Sequence, residues 1–227
     1  MKYIPLNIKT EYDLMNSLIK IDELLSYAKE NNLNSIGITD TNMFGAYEFI
    51  TKCKENNINP ILGTQLNVEE YELILYAKNY DGYISLCKIV SEKNTGNLTL
   101  DYIKQNSKDL LITTDYFNYE KLKNIFVDLY IKYKNNEEKN NALLLTENVV
   151  YIDQIRYFNK EDKEYFKYIK LIDDGKTIDE EIEIYDSHYK DYATDYRHIL
   201  PSRESLSQVR TWTRCSSPDP LAPCFWK

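Results

Sequence analysis

Eleven consecutive residues, Ile36-Gly37-Ile38-Thr39-Asp40-Thr41-Asn42-Met43-Phe44-Gly45-Ala46, run from a short apolar stretch through four polar side chains toward a helical pattern. Polar groups at the carboxyl end of a strand are where βα barrels carry their chemistry. Asp40, with Glu11 and Glu48, would offer the hard oxygen donors that suit Mg or Mn. The plainer alternative is a loop in which Asp40 or Asn42 caps the following helix, and residue types alone favour it. A multinuclear phosphoesterase centre needs several imidazole and carboxylate ligands to hold its ions and acidify bound water. Yet the first 187 residues contain no histidine. His188 and His198 come later, with no cysteine at zinc-finger spacing, and read as surface residues. Gly175-Lys176-Thr177 ends like a phosphate loop, but Lys170 stands where that motif requires glycine, and a helical pattern occupies the segment.

The elements that must position these groups alternate between helical and β-rich patterns, which argues for βα units and a parallel sheet or barrel. Tyr3 to Ile8, Ser35 to Thr39, Ile61 to Val68, Glu72 to Ala77 and Leu110 to Thr113 read as strands. Helices are expected over Ile21 to Glu30, Tyr47 to Glu55 and about Gly82 to Glu92. Ile125, Val127, Leu129 and Ile131 alternate as a half-buried strand would, and Asn135 to Asn141 reads as a solvated loop. Leu143 to Leu145 and Val149 to Ile155 add apolar material before an amphipathic helix, Glu161 to Ile172, with Tyr165, Tyr168, Ile169 and Ile172 on one side.

With 227 residues and 43% hydrophobic content, one large domain with a sizeable core is possible. No apolar run approaches the roughly 18 residues of a membrane span, and the start lacks the apolar stretch of a secretion signal, so a cytoplasmic protein is expected. Cys53, Cys87, Cys215 and Cys224 lack C-x-x-C spacing, and the first two read as reduced, buried thiols. A net charge of −8 opposes autonomous binding to a phosphate backbone. Beyond Tyr196 the composition switches: four of the five arginines, both tryptophans and four of the six prolines lie there. That switch suggests a foreign or out-of-frame extension.

Several segments, in order, resemble one known family. Asn7-Ile8-Lys9-Thr10-Glu11-Tyr12-Asp13-Leu14-Met15 is similar to the opening H-x-H-T-x-Y-S-L-L of PHP (polymerase and histidinol phosphatase) domains in DNA polymerase III alpha subunits. Ile38 to Thr41 resembles I-T-D-H, Phe44 to Phe49 resembles F-G-A-x-E-F, and Asn57 to Gly63 resembles G-I-K-P-I-I-G. Leu75 to Leu86 resembles L-L-A-K-N-x-x-G-Y-x-x-L, and Tyr157, Glu161-Asp162 and Gly175-Lys176-Thr177 match H-Y-L-x-x-E-D and G-K-T. The resemblance covers about residues 3 to 178.

It implies an α/β fold, a distorted seven-stranded βα barrel of PHP type, similar to a TIM barrel. The expected organisation is a barrel over residues 1–178, a linker over 179–196 toward a polymerase body, and a tail over 197–227 that is non-native or disordered. Where active members place histidine this sequence has Asn7, Lys9, Thr41 and Arg156, and where they place acidic ligands it has Gln65 and Gln154, leaving Asp40 of the aligned set. The resemblance therefore implies a degenerate metal site with no catalytic residue, no cofactor beyond weak Mg or Mn binding, and Lys9 or Arg156 paired with Asp40. It further implies a structural module of a replicative DNA-directed DNA polymerase. Its partner would be the polymerase body of the same parent chain, with DNA and replisome subunits reached through that parent and no membrane. The alternatives are a metal-dependent phosphoesterase or 3′ to 5′ exonuclease that uses Asp40, Glu11 and Glu48 in place of the missing histidines, and a free-standing interaction module.

Overall fold

The computed structural model describes residues 4–184 and 186–188. Among these residues the chain forms β1 (Asn7–Ile8), α1 (Ile21–Glu30), β2 (Ser35–Ile38), α2 (Ala46–Glu55), β3 (Asn59–Val68), β4 (Tyr71–Ala77), α3 (Tyr80–Thr95), α4 (Leu100–Gln105), β5 (Leu110–Thr114), α5 (Tyr119–Leu122), β6 (Leu129–Tyr133), α6 (Asn136–Leu143), β7 (Val149–Tyr151), β8 (Gln154–Ile155) and α7 (Lys163–Asp173). The tail beyond Tyr196, with His198, lies outside the described residues, as does Tyr3; of the strand expected over Tyr3 to Ile8 only Asn7–Ile8 forms, and Ile4 to Leu6 lie in no strand.

The strands form one sheet in the order β7-β6-β5-β4-β3-β2-β1-β8. Its two edge strands are consecutive in the chain, separated by Ile152 and Asp153. Such a link reaches about 10 Å at full extension, so the sheet must curl until its edges nearly meet. The result is a distorted α/β barrel with a seam along β7 and β8. Counting Val149 to Ile155 as one broken strand recovers the seven strands expected from the sequence.

Side-chain alternation divides the core. On β4, Leu73 and Leu75 join the large cluster beneath the helices, where Leu24, Phe49, Leu86 and Ile89 also lie. Ile74 and Tyr76 point the other way, into a concave cluster with Leu6, Ile61, Leu111, Val150 and Ile152. Both faces are buried, as a barrel wall requires.

The structure departs from the expected all-parallel arrangement at β4, which runs antiparallel to both β3 and β5. The reason is local: only Glu69 and Glu70 separate Val68 from its partner Tyr71, and a two-residue connection can join antiparallel strands only. The strand expected over Ile125 to Ile131 begins later, at Leu129. Phe126 is buried at 3% exposure while Val127 is 97% exposed, because a turn rather than a strand carries them. Asn135 to Asn141, expected as a loop, starts α6. The Asn135 side chain accepts from the Glu138 amide at 2.9 Å, and Glu138 accepts from the Lys134 amide at 2.7 Å, closing a cap that the Asn-rich composition obscures. Leu143 to Leu145 are exposed at the end of α6 instead of joining a strand. The apolar face of α7 is also different: Phe166 and Leu171 are buried, and Tyr165, Tyr168 and Ile172 face outward. Gly175, at φ 65, lies in the left-handed region just past the end of α7, as glycine does past many helix ends, which accounts for the glycine of Gly-Lys-Thr without a nucleotide.

Within the stretch read as a linker, residues 186–188 return to the barrel. The Arg156 amide donates to the Ser187 carbonyl at 2.9 Å, the Ser187 amide donates to the Tyr157 hydroxyl at 3.1 Å, and Tyr157 forms a parallel bridge with His188.

Candidate functional site

The site is built on the loops that leave β1 and β2. These strands are parallel, with Ile8 opposite Ile38, so Thr10 and Asp40 emerge side by side at their carboxyl ends. The Asp40 carboxylate accepts from the Thr10 amide at 2.7 Å and from the Thr10 hydroxyl at 2.5 Å. Thr64 on β3 holds the Asp40 carbonyl at 2.7 Å. Burial pushes the Asp40 carboxyl up to about 6, while the Thr10 hydrogen bonds and the charge of Lys9 oppose that rise. Asp40 is thus the pivot between two loops, not a cap on α2.

Lys9 is 2% exposed. Its ammonium donates to the Thr39 carbonyl and lies 3.5 Å from Asp13. Burial pulls it down to about 8, with Asp13 and Asp40 pulling the other way. The expected direct pairing of Lys9 or Arg156 with Asp40 is therefore redirected. Lys9 takes Asp13 as counter-ion, and Asp40 is satisfied by uncharged donors. Asp13 in turn accepts from the Thr41 amide at 3.0 Å, the Thr41 hydroxyl at 2.8 Å and the Asn16 amide at 3.1 Å. Burial favours its neutral form, but Lys9 and these hydrogen bonds outweigh it and hold the carboxyl below the ordinary range.

The other sequence-selected positions surround the same opening. Asn7 accepts from the Thr39 hydroxyl. Gln154 on β8 donates to Gln65 on β3 at 2.9 Å. Arg156 donates to the Asn16 carbonyl and side chain at 3.3 and 3.2 Å and to Gln154 at 3.1 Å, with its guanidinium 5.6 Å from the Phe166 ring centre. Lys9, Thr41, Gln65, Gln154 and Arg156 line one cleft of about 280 Å³. Asn7 and Asp40 are buried beside it. The carboxylates of the exonuclease alternative do not converge. Glu11 accepts from the Ile21 amide at the start of α1 at 3.3 Å, and Glu48 is engaged by Lys52 at 2.6 Å and by the Tyr12 hydroxyl.

Sequence reasoning missed Asp13, Glu72, Lys93 and Lys132. Glu72 on β4 pairs with Lys132 on β6, and Asp115 lies 3.6 Å from the same ammonium. Burial would raise Glu72, but Lys132 outweighs it and the carboxyl lies below its ordinary value. The available signal was Asp13 itself, acidic where the family has serine and four residues from Lys9. Lys93 and Lys132 had none, because only the curl of the sheet brings α3 and β6 to this opening.

The donor set does not fit a metal cluster. Among the described residues no three His, Cys, Asp or Glu side chains converge. Ammonium and guanidinium groups offer no lone pair to a cation at neutral pH, and three of them face the cleft.

Comparison with known proteins agrees with this architecture. The PHP domain family model matches residues 5–203. A DNA polymerase III subunit alpha from Streptococcus pyogenes serotype M3 is 30% identical over 196 residues, covering 78% of this chain and 18% of that polymerase. The corresponding subunit of Staphylococcus epidermidis is 29% identical over 199 residues, 81% of this chain and 18% of its own length. In Ureaplasma parvum the subunit is 39% identical over 87 residues, 38% of this chain and 9% of its own length. The chain thus spans less than a fifth of the curated relatives it matches. With its curled sheet and its β1 and β2 loops meeting at one mouth, the chain belongs to the PHP domain family.

Proposed function

We propose that this chain is the N-terminal structural module of a replicative DNA-directed DNA polymerase, the DNA polymerase III alpha subunit, and is not catalytic by itself. The observation that carries this reading is Lys9. A buried ammonium bonded to the Thr39 carbonyl and paired with Asp13 stands at a position where active family members carry a histidine ligand. Opposite it, Asp40 spends both carboxylate oxygens on Thr10. A hydrogen-bonded ionic network then holds together what a metal cluster would hold elsewhere in the family, and at most weak Mg or Mn binding persists. The partner is the polymerase body of the same parent chain, in the cytoplasm, and contact with DNA and other replisome subunits runs through it. A barrel over 1–178, a linker over 179–196 toward the polymerase body and a tail over 197–227 of non-native origin complete the proposal.

The test is to incubate the purified protein with single-stranded DNA and with a small phosphomonoester in excess Mn, Mg or Zn. No turnover is expected, since Asp40 nearly alone cannot offset the dehydration of several divalent ions or position hydroxide against phosphorus. Turnover abolished by Asp40→Ala overturns the reading and restores the exonuclease.

A further inference from the structure

Helix α7 is apolar on two sides. Phe166 and Leu171 turn inward to the barrel, while Tyr165, Tyr168, Ile169 and Ile172 form a second stripe at the helical spacing i, i+3, i+4, i+7. Tyr165 and Ile172 are each 65% exposed. A surface helix ordinarily keeps one apolar stripe toward its core and polar residues on the opposite side. In α7 the side turned away from the barrel is apolar as well, and Tyr168 borders a groove of about 740 Å³ bounded by the helix and by Ile182, Glu183 and Ile184. Contiguous exposed apolar surface of this kind marks a contact face.

The chain supplies an occupant. After Ile184 the backbone is fastened beside the first half of α7: the Arg156 amide donates to the Ser187 carbonyl at 2.9 Å, His188 forms a bridge with Tyr157, and the Tyr157 ring stands 5.6 Å from the ring of Phe166. Residues 189–196 follow directly and lie outside the described residues, and the PHP domain match takes them in. Their sequence places Tyr189, Tyr192, Ala193 and Tyr196 at the same spacing, i, i+3, i+4, i+7. Each stripe therefore covers about 10 Å of helix, and the small Ala193 near the middle of one lets two helix backbones approach closely.

We propose that the outer face of α7 is an intramolecular docking surface, and that residues 189–196 lie on it as a short helix with the two apolar stripes in contact. A segment of this length is too short to hold a helix alone in water, so helix and docking form together. The docking stands apart from the functional reading above. Joined to that reading, it fixes the direction in which the chain leaves the barrel for the polymerase body, so that the second half of the linker is a strap and not a free tether.

The experiment follows amide hydrogen exchange in the full chain by mass spectrometry, with a synthetic peptide of residues 185–200 as the reference. Amides 190–196 are expected to exchange at least roughly tenfold more slowly in the chain than in the peptide. Ile172→Asp, at an exposed position of α7 that leaves the barrel core intact, abolishes that protection, and Tyr192→Asp does the same from the other side of the contact. Val127→Asp, at a 97% exposed position on the turn before β6, leaves it unchanged. Unchanged exchange in β3 and β4 shows that the barrel is folded in each variant. Peptide-like exchange of 190–196 in the unaltered chain overturns the docking while leaving the polymerase-module reading in place, and so does protection that survives Ile172→Asp. Protection that rises with protein concentration assigns the face to a second copy of the chain and overturns the intramolecular contact.

Discussion

Lys9 and Asp13 face each other at 3.5 Å with both side chains 2% exposed. Neither charge can recover its water, so each depends on the other. Removing one partner of a buried pair costs about 3–5 kcal/mol, whereas replacing both by neutral groups is often close to neutral. Lys9→Met and Asp13→Asn are each expected to lower unfolding stability by about that amount. The double variant Lys9→Met/Asp13→Asn should recover most of the loss. Urea denaturation of the three variants checks this, and additive losses would show that the pair is not a unit.

Stability should be lowest near neutral pH for these buried groups. Asp40 is pushed up to about 6 from 3.8, so the folded chain holds that proton more tightly than the unfolded chain. Its contribution is fully present below about pH 4 and is lost as pH rises through 6. Lys9 is pulled down to about 8 from 10.5, so the unfolded chain binds its proton more tightly and stability recovers as pH rises from 8 toward 10.5. Between about pH 4 and 7 the stability of the wild type relative to Asp40→Asn is expected to fall by about 2 kcal/mol. A difference that is flat across this range would show that Asp40 titrates at its ordinary value.

Gly45 allows the loops after β1 and β2 to close on each other. A Cβ at this position would lie 2.6 Å from Cδ2 of the Tyr12 ring, and the backbone is at φ −81, so the constraint is steric and not conformational. Gly45→Ala is expected to cost about 1–3 kcal/mol. Combining it with Tyr12→Ala, which opens the same space, should make the second change less harmful than it is alone. A melting-temperature cycle over the four proteins reads the coupling.

Two truncations separate the barrel from the segment after α7. Ending the chain after residue 178 removes Ser187 and His188 from Arg156 and Tyr157, and a clear fall in melting temperature is expected. Ending it after residue 196 keeps those bonds and should leave the melting temperature nearly unchanged. Equal behaviour of the two truncations would mean that residues 186–188 do not stabilise the barrel.

Much of the fold was legible because it rests on local periodicity. The run from Ile21 to Glu30 places Ile21, Leu24, Leu25 and Ala28 on one side, and those four residues are the buried ones. In α7 the same kind of pattern misled. Tyr165, Tyr168 and Ile172 are apolar at helical spacing, but Phe166 and Leu171 are the side chains that reach the core. Tyrosine, abundant in this chain, carries apolar area without being committed to burial. The reversal at β4 was missed because two consecutive glutamates look like a charged face and not like a hairpin turn.

The sequence by itself determined the family and the α/β barrel architecture, because both are written in residue types at ordered positions. It placed Lys9, Asp40 and Arg156 at one opening through the ends of β1, β2 and β8. Which charge pairs with which was decided by the tertiary structure alone. Lys9 and Asp13 meet because the loop after β1 folds back under Asn16 and Thr41, and Glu72 meets Lys132 because an antiparallel β4 turns its first residues toward the barrel mouth. Ion pairing depends on separations of a few ångströms and on exclusion of water, and both are set by how distant segments pack, not by any local pattern.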